Sequence, residues 1–168
     1  LATLADSLGL RIAVPRATTP CSWRTSGELC WVDRSQPPSP ENIEILTNAA
    51  RSCLGRQRRI GLLGFSNGAI LVQGLFEHGA TASYDFAVGV GAATPISPTA
   101  HPSSSRYGPL LLLVGSADSY NRPLMEQLHR ALVARGGRVS LKVFEGGHEL
   151  PLEPVRRVLE AFAASGKS

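Results

Sequence analysis

The chain has 168 residues, of which 43% are apolar and 18% are charged, and its net charge is +4. These values predict one compact domain over residues 1–168 and exclude a disordered chain, because the apolar fraction is high and the net charge is small. The longest apolar run, Leu110–Val114, is far shorter than the roughly 18 residues that a membrane span needs. We therefore predict no membrane span.

Helix and strand signals alternate along the chain. Predicted helices are Leu1–Leu8 (closed by Gly9), Ser39–Cys53, Gly68–His78, Pro123–Arg135 and Leu152–Phe162. Predicted strands are Leu10–Val14, Ile60–Phe65, Phe86–Val90, Pro109–Val114 and Val139–Phe144, with loops at 16–38 and 94–105. Short apolar strands between helices predict an α/β fold, with a mostly parallel sheet and helices on both faces. In such sheets, sites form beyond the carboxyl ends of the strands.

The basic residues and cysteines predict neither a nucleic-acid partner nor a metal. The arginines at 56, 58 and 59 follow a predicted helix, where cations offset the carbonyl end of the helix dipole, and no aromatic platform accompanies them. Cys21, Cys30 and Cys53 form no C-x-x-C and no metal-binding pattern with histidine. Cys53 is predicted to be a buried thiol, whereas Cys21 and Cys30 flank a loop and could pair in an exported protein.

The compartment is predicted only provisionally. No signal peptide is visible, which makes a reducing, cytoplasmic location the default. Because the sequence starts at Leu1 and its only methionine is Met125, a processed, secreted protein is left open.

The segment Gly64-Phe65-Ser66-Asn67-Gly68 fits the pattern G-x-S-x-G and joins a predicted strand directly to a predicted helix. A serine on such a turn points its hydroxyl out of the sheet, and we expect the two flanking glycines to allow close approach of strand and helix. An ordinary glycine-rich turn is the alternative. Ser66 is the predicted nucleophile.

A serine nucleophile needs a base, and the base needs a carboxylate to orient it. Among the four histidines only His148 follows a predicted strand; His78 and His129 lie on helices, and His101 lies in the 94–105 loop. Asp118 follows the predicted strand Pro109–Val114, which precedes the strand of His148. The alternative role of Asp118 is to cap the helix that begins near Pro123. The order Ser, Asp, His at three strand ends predicts a catalytic triad.

Several segments resemble the α/β-hydrolase superfamily, in particular its phospholipase/carboxylesterase branch, which holds acyl-thioesterases and lies next to dienelactone-hydrolase-like proteins. The matching segments are RIAVPRA (11–17), CWVD (30–33), GFSNGA (64–69), LLLLVGSADSYNRP (110–123) and VFEGGHEL (143–150). The separations of 52 residues from Ser66 to Asp118 and 30 from Asp118 to His148 also resemble that branch.

The resemblance implies roles for these residues and no cofactor. Ser66 is the nucleophile, His148 the general acid and base, and Asp118 its orienting group. The backbone N–H of Asn67 serves as one oxyanion donor. Trp31 and Phe65 are expected near the substrate pocket, with plain packing as the alternative for Trp31.

The front of the chain departs from the family pattern. The family has a strand that precedes the first helix in the chain, and the loop after this strand supplies a second oxyanion donor. Within the sheet, that strand lies between the strands matching Leu10–Val14 and Ile60–Phe65. No segment here matches it, so a chain that begins at Leu1 is expected to be a poor catalyst, since one missing donor costs about 10²–10³ in rate.

The sequence thus predicts a serine hydrolase that acts on a small ester or thioester. A non-catalytic binding protein with the same fold is the alternative, and peptidase or acyltransferase activity also stays open. The loop at 94–105 is expected to be a solvated segment, with a lid over the site as the alternative.

Overall fold

The computed structural model describes residues 2–14, 17, 19–21, 29–31, 48, 52, 59–79, 84–97 and 109–165. Its helices are α1 (Ala2–Ser7), α2 (Asn67–Glu77), α3 (Asn121–Ala134) and α4 (Leu152–Ala164). Its strands are β1 (Thr19–Pro20), β2 (Leu29–Cys30), β3 (Gly61–Phe65), β4 (Phe86–Val90), β5 (Leu110–Gly115) and β6 (Val139–Phe144).

Four strands form a parallel sheet in the order β3-β4-β5-β6. Gly61 is opposite Phe86 in β4, and Leu110 in β5 is opposite Ala87 on one side and Val139 on the other. Because the strands are parallel, their carboxyl ends lie along one edge of the sheet. The segments that begin at residues 66, 91, 116 and 145 leave the sheet at that edge.

Helices cover both faces of the sheet, as the alternation of apolar strands and helices predicts. On one face α2 and α3 pack against side chains that alternate along the strands, and this core contains Val72, Phe76, Ala87, Leu110, Leu112, Val114, Met125, Leu128 and Leu132. On the other face α4 packs against the intervening strand residues, in a core that contains Val88, Val90, Leu113 and Val155. The predicted fold class is confirmed.

Most predicted bounds are within two residues of the observed ones. Helix α3 begins at Asn121 rather than at Pro123. A helix tolerates proline in its first turn because the N–H that proline lacks would have no partner there. Most of the predicted helix Ser39–Cys53 lies outside the described residues, as does the thiol of Cys53; Asn48 and Ser52 are described, and the Ser52 hydroxyl donates to the Asn48 carbonyl at 2.8 Å.

The predicted strand Leu10–Val14 is wrong. These residues have no regular structure, and Ile12 and Val14 are 45% and 81% exposed. The Leu10 N–H donates to the Ala5 carbonyl at 2.9 Å, which ties the segment to the end of α1. A strand needs a hydrogen-bonded neighbour, and no described strand pairs with this segment.

Within the predicted loop 16–38 the structure contains a short hairpin that the sequence does not indicate. Thr19 pairs with Cys30 and Pro20 with Leu29, in antiparallel register, and Cys21 and Cys30 form a disulfide. Two-residue strands are too short to produce a periodic pattern. The Cys21–Cys30 disulfide, which the sequence left open, is present in this structure.

Helix α2 holds the first residues of the 94–105 loop. The Gln73 side chain exchanges two hydrogen bonds of 2.9 Å with the backbone of Thr94, and Glu77 accepts the Ser97 N–H at 3.1 Å. Burial raises the pKa of Glu77, although the hydrogen bonds from Gln73 and Ser97 oppose this rise. Residues 98–105 lie outside the described residues, so both interpretations of this loop stay predictions.

Of the predicted arginine cluster, the structure describes only Arg59. Its guanidinium donates to the Phe162 carbonyl at 2.7 Å and to the Ser165 hydroxyl at 2.9 Å, and it lies 4.2 Å from the centre of the Phe162 ring. A cation here offsets the carbonyl end of α4, a different helix from the one that precedes the cluster in the sequence. Within the described parts of the chain, no helix is both long enough and apolar enough to span a bilayer.

Candidate active site

Ser66 lies on a sharp turn between the last residue of β3 and the first residue of α2. Its φ is 54°, and it is the only residue other than glycine with a positive φ in the described part of the chain. Such a conformation costs about 1–3 kcal/mol and persists where the surroundings fix it. Here the Ser66 N–H donates to the Val90 carbonyl at 2.9 Å, and its own carbonyl accepts the Ala69 N–H at 2.9 Å.

The two glycines of the motif are not equivalent. A Cβ on Gly64 would overlap the carbonyl oxygen of Gly68, because strand β3 and helix α2 touch there through their backbones. Among the described residues, a Cβ on Gly68 would meet the Trp31 ring at an ordinary contact distance of 3.9 Å. Close approach therefore requires glycine at position 64, and the expectation that it also requires glycine at 68 is wrong.

His148 lies on the loop after β6 and faces Ser66. Its Nε2 is 3.1 Å from the Ser66 Oγ, and its Nδ1 is 2.9 Å from the Asp118 Oδ2. The ring also contacts Phe65, with centroids 5.2 Å apart. Gly91, at the end of β4, leaves room for it: a Cβ there would lie 3.2 Å from Nδ1. The side chain is 41% exposed, so solvent and small molecules reach the imidazole.

Asp118 lies on the loop after β5 and is only 6% exposed. Its Oδ1 accepts the backbone N–H of Asn121 at 3.1 Å, so it caps α3 while its Oδ2 faces His148. Burial acts to raise the pKa of Asp118, but hydrogen bonds from Asn121 and His148 outweigh it and hold the pKa below the ordinary value. Both predicted roles, the helix cap and the triad acid, are thus geometrically compatible.

Hydrogen bonds between backbones fix the acid and base loops to each other. The Ser116 N–H donates to the Phe144 carbonyl and the Ala117 N–H to the Gly146 carbonyl, both at 2.8 Å. The other histidines are elsewhere: His78 ends α2, His129 lies within α3, and His101 is outside the described residues. The structure thus brings together the three residues that the sequence selects.

The remaining predicted site residues surround the turn at Ser66. Asn67 is the first residue of α2, and its side-chain Oδ1 accepts the Trp31 N–H at 2.7 Å. Trp31 is half-buried beside Gly68, directly after the disulfide at Cys30. Phe65 is 38% exposed and packs on the His148 ring. Their roles toward an oxyanion or a substrate stay predictions.

Sequence reasoning missed Asn121 and Gly91. Asn121 contacts both carboxylate oxygens of Asp118, and its position three residues after an aspartate at a helix start is the signal that could have indicated it. Gly91 directly follows an apolar strand, and Gly115 is the last residue of another. Among the described residues no group of three or more His, Cys, Asp or Glu side chains could hold a metal ion.

Solved structures resemble this arrangement of strands and helices. Arabidopsis thaliana SOBER1 matches with a TM-score of 0.64 at 15% identity, over 92% of this chain and 82% of that one. A Mesorhizobium loti carboxylesterase matches with 0.62 at 21% identity, over 86% and 72%. Zea mays acyl-protein thioesterase 2 matches with 0.58 at 21% identity, over 80% and 73%.

The chain has an α/β-hydrolase fold. Its structural matches include carboxylesterases, an acyl-protein thioesterase and a dienelactone hydrolase. No model of a protein family and no curated protein sequence matches the chain. At these identities the likeness concerns the α/β-hydrolase fold.

The lowered pKa of Asp118 predicts how stability depends on pH. Its pKa lies below the ordinary 3.8, so the ionised carboxylate stabilises the fold above that pH, and the contribution is lost as the pH falls through the lowered value. Asp118→Asn should therefore lower the free energy of unfolding most above pH 3.8, and this difference should shrink as the pH falls below 3.8. Urea unfolding of both proteins from pH 3 to 7 measures this gap; a gap that stays constant with pH would contradict it.

The disulfide predicts a specific alkylation pattern. Iodoacetamide added to the denatured, unreduced protein should leave Cys21 and Cys30 unmodified, and after reduction it should modify both. Peptide mass spectrometry measures the modification of each cysteine. Removing the bond by Cys21→Ser should cost about 2–3 kcal/mol of stability, because it closes a loop of only 9 residues in sequence separation. Alkylation of Cys21 before reduction would disprove the pairing.

Proposed function

We propose that the chain is a serine hydrolase that cleaves carboxylic esters or thioesters through Ser66, His148 and Asp118. The observation that carries the proposal is the continuous series of contacts from the Ser66 Oγ through both ring nitrogens of His148 to the Asp118 carboxylate, at 3.1 and 2.9 Å. A base beside the hydroxyl and an ionised acid behind the base are what a serine needs in order to act as a nucleophile.

The acylation step follows from these positions. His148 Nε2 takes the hydroxyl proton while the Ser66 Oγ attacks the carbonyl carbon, and Asp118 stabilises the imidazolium that forms. The backbone N–H of Asn67, at the positive end of the α2 dipole, donates to the oxyanion. The carbon–oxygen or carbon–sulfur bond then breaks, and His148 gives its proton to the leaving alcohol or thiol.

Deacylation repeats these steps with water. His148 takes a proton from a water molecule, the hydroxide oxygen attacks the acyl carbon, and Ser66 leaves with the proton returned by His148. The products are a carboxylic acid and free enzyme. No redox step occurs, and no cofactor is needed for the atoms to balance.

The relatives in fold support ester or thioester substrates over peptides. Two of the similar structures are carboxylesterases, and another is an acyl-protein thioesterase. The rings of Phe65 and His148 are partly exposed, which supports access of a small ester to Ser66. The partner we propose is therefore a small ester or thioester molecule.

For the compartment, the Cys21–Cys30 disulfide supports the exported alternative over the cytoplasmic default. Disulfides persist in oxidising compartments and are rare where thiols are kept reduced. We propose that the chain acts in an oxidising compartment. Fractionation of the native host followed by detection of the protein in each fraction tests this.

Hydrolysis of p-nitrophenyl esters from acetate to palmitate tests the proposed function. The wild-type chain should turn over at least one ester, and Ser66→Ala should lower kcat by about 10⁵–10⁶-fold. Ser140→Ala, which changes an exposed serine on β6, is the matched control and should keep full activity. Equal rates for wild type and Ser66→Ala, or inertness toward every ester, would overturn the proposal and favour the non-catalytic alternative.

A further inference from the structure

Asn121 makes more contacts with the triad than a helix-capping partner needs. Its backbone N–H donates to the Asp118 Oδ1 at 3.1 Å, and its side-chain Nδ2 lies 3.0 Å from both Oδ1 and Oδ2. The same Nδ2 is 3.3 Å from the His148 Nδ1. Asn121 and His148 therefore share one carboxylate oxygen, the Oδ2 of Asp118.

The chemistry of the carboxylate fixes the orientation of this amide. An ionised carboxylate only accepts hydrogen bonds, so the group that faces both of its oxygens must be the NH₂ and not the carbonyl of Asn121. One N–H of the NH₂ group donates to Asp118 and is shared between its two oxygens. The His148 Nδ1 proton then goes to Asp118 as well, because an amide NH₂ donates hydrogen bonds and does not accept them.

Sharing the acceptor changes the charge that His148 experiences. Each N–H dipole directed at Asp118 compensates part of its negative charge, and this reduces the stabilisation that the carboxylate gives to an imidazolium. It also compensates for the burial of Asp118, which is otherwise costly for a charge. The Asn121 amide thus orients the Asp118 carboxylate and limits how much this carboxylate stabilises the imidazolium form of His148.

We propose that Asn121 is a positioning residue of the triad, which holds both oxygens of Asp118 and moderates how firmly His148 keeps its proton. This inference rests on the proposed function, since it concerns the same site. Asn121 acts through Asp118 and His148, with no contact to the reacting atoms required.

Among the residues that the structure describes, the other charged groups near His148 are engaged elsewhere or exposed. Arg122 on α3 pairs with Glu126 at 3.0 Å and donates to the Ser116 carbonyl at 3.3 Å. On the loop of His148 itself, the Glu149 carboxylate lies against Gly146, and Glu145 is exposed. Asp118 is the charged group within hydrogen-bond distance of the ring.

Two variants separate the electrostatic role of Asn121 from a merely structural one. Asn121→Ala removes the amide, and Asn121→Asp replaces it by a second carboxylate of the same size beside Asp118. The electrostatic potential at His148 should become more negative in the order wild type, Asn121→Ala, Asn121→Asp. The acid limb of the kcat/KM profile should move to higher pH in that order, by about half a unit to one unit for the alanine variant.

The plateau rates provide a second readout. Asn121→Ala should lower kcat by about tenfold and change KM by less than about twofold, because the lost contact orients the triad rather than the substrate. Ser119→Ala, on the same turn and exposed, is the matched control and should leave both constants unchanged.

An NMR titration of the His148 Cε1–H resonance keeps the inference testable if no ester is hydrolysed. The resonance is assigned by its loss in His148→Gln, and its titration midpoint is compared among wild type, Asn121→Ala, Asn121→Asp and Ser119→Ala. The inference predicts ordered midpoints, rising from wild type to alanine to aspartate. Midpoints that coincide within about 0.2 unit would overturn it, whether or not the protein proves to be an esterase. Should Asn121→Ala fail to fold, Asn121→Leu, which keeps the size of the side chain and removes the amide, takes its place.

Discussion

Replacing His148 with glutamine should lower kcat for ester hydrolysis by about 10⁵–10⁶-fold, about as much as removing the serine itself. The imidazole is within hydrogen-bond distance of both the Ser66 hydroxyl and the Asp118 carboxylate. Its loss therefore removes the group that connects the nucleophile to the triad acid. Glutamine fills similar space but cannot take a proton at neutral pH. Steady-state rates with the best p-nitrophenyl ester measure the effect.

The matched control is His129→Gln, since His129 lies within α3 and away from the loop of His148. It should keep wild-type activity. Combining His148→Gln with Ser66→Ala should cost little more than either change alone, because residues that act as one unit are strongly non-additive. Activity within tenfold of wild type in His148→Gln would contradict the assignment of the base.

Gly64→Ala should destabilise the fold by at least about 3 kcal/mol and lower the remaining activity by at least about 100-fold. A Cβ at this position would overlap the backbone carbonyl of Gly68, and backbone cannot move aside as a flexible side chain does. Relief requires β3 and α2 to separate, which displaces Ser66 from His148. Thermal unfolding and ester hydrolysis measure the two effects.

Gly68→Ala is the matched control on the other side of the same serine. Within the described part of the chain, its Cβ would meet just the Trp31 ring, at 3.9 Å, and alanine is about 0.5–1 kcal/mol better than glycine within a helix. It should be neutral or slightly stabilising and should stay active. Equal damage from the two substitutions would show that the motif needs both glycines, contrary to the contacts described above.

The parallel sheet and the positions of the three triad candidates could be predicted because their signals are local. Apolar strands that end at Phe65, Val90, Gly115 and Phe144 determine which loops share an edge of the sheet. Once the sheet is parallel, Ser66, Asp118 and His148 must lie at that edge. The G-x-S-x-G motif, the positions after strand ends and the order Ser, Asp, His along the chain together select them.

Features that depend on neighbours distant in sequence could not be predicted in this way. The segment Leu10–Val14 is apolar except for Arg11 and has a strand-like composition, but a strand forms only where another backbone pairs with it. The contact of Asn121 with both oxygens of Asp118 depends on a side-chain rotamer at the start of α3, which no periodicity encodes. The different roles of Gly64 and Gly68 appear only when the distance between β3 and α2 is known.

The central claim is that Ser66 is a nucleophile activated by His148, and labelling by a fluorophosphonate tests it most directly. The reagent forms a phosphorus–oxygen bond with an activated serine and releases fluoride, so it requires no knowledge of the natural substrate. Peptide mass spectrometry should locate the adduct on Ser66 in wild type and in Ser140→Ala, and find none in Ser66→Ala or His148→Gln. Equal labelling of wild type and Ser66→Ala, or an adduct on another residue, would contradict the claim.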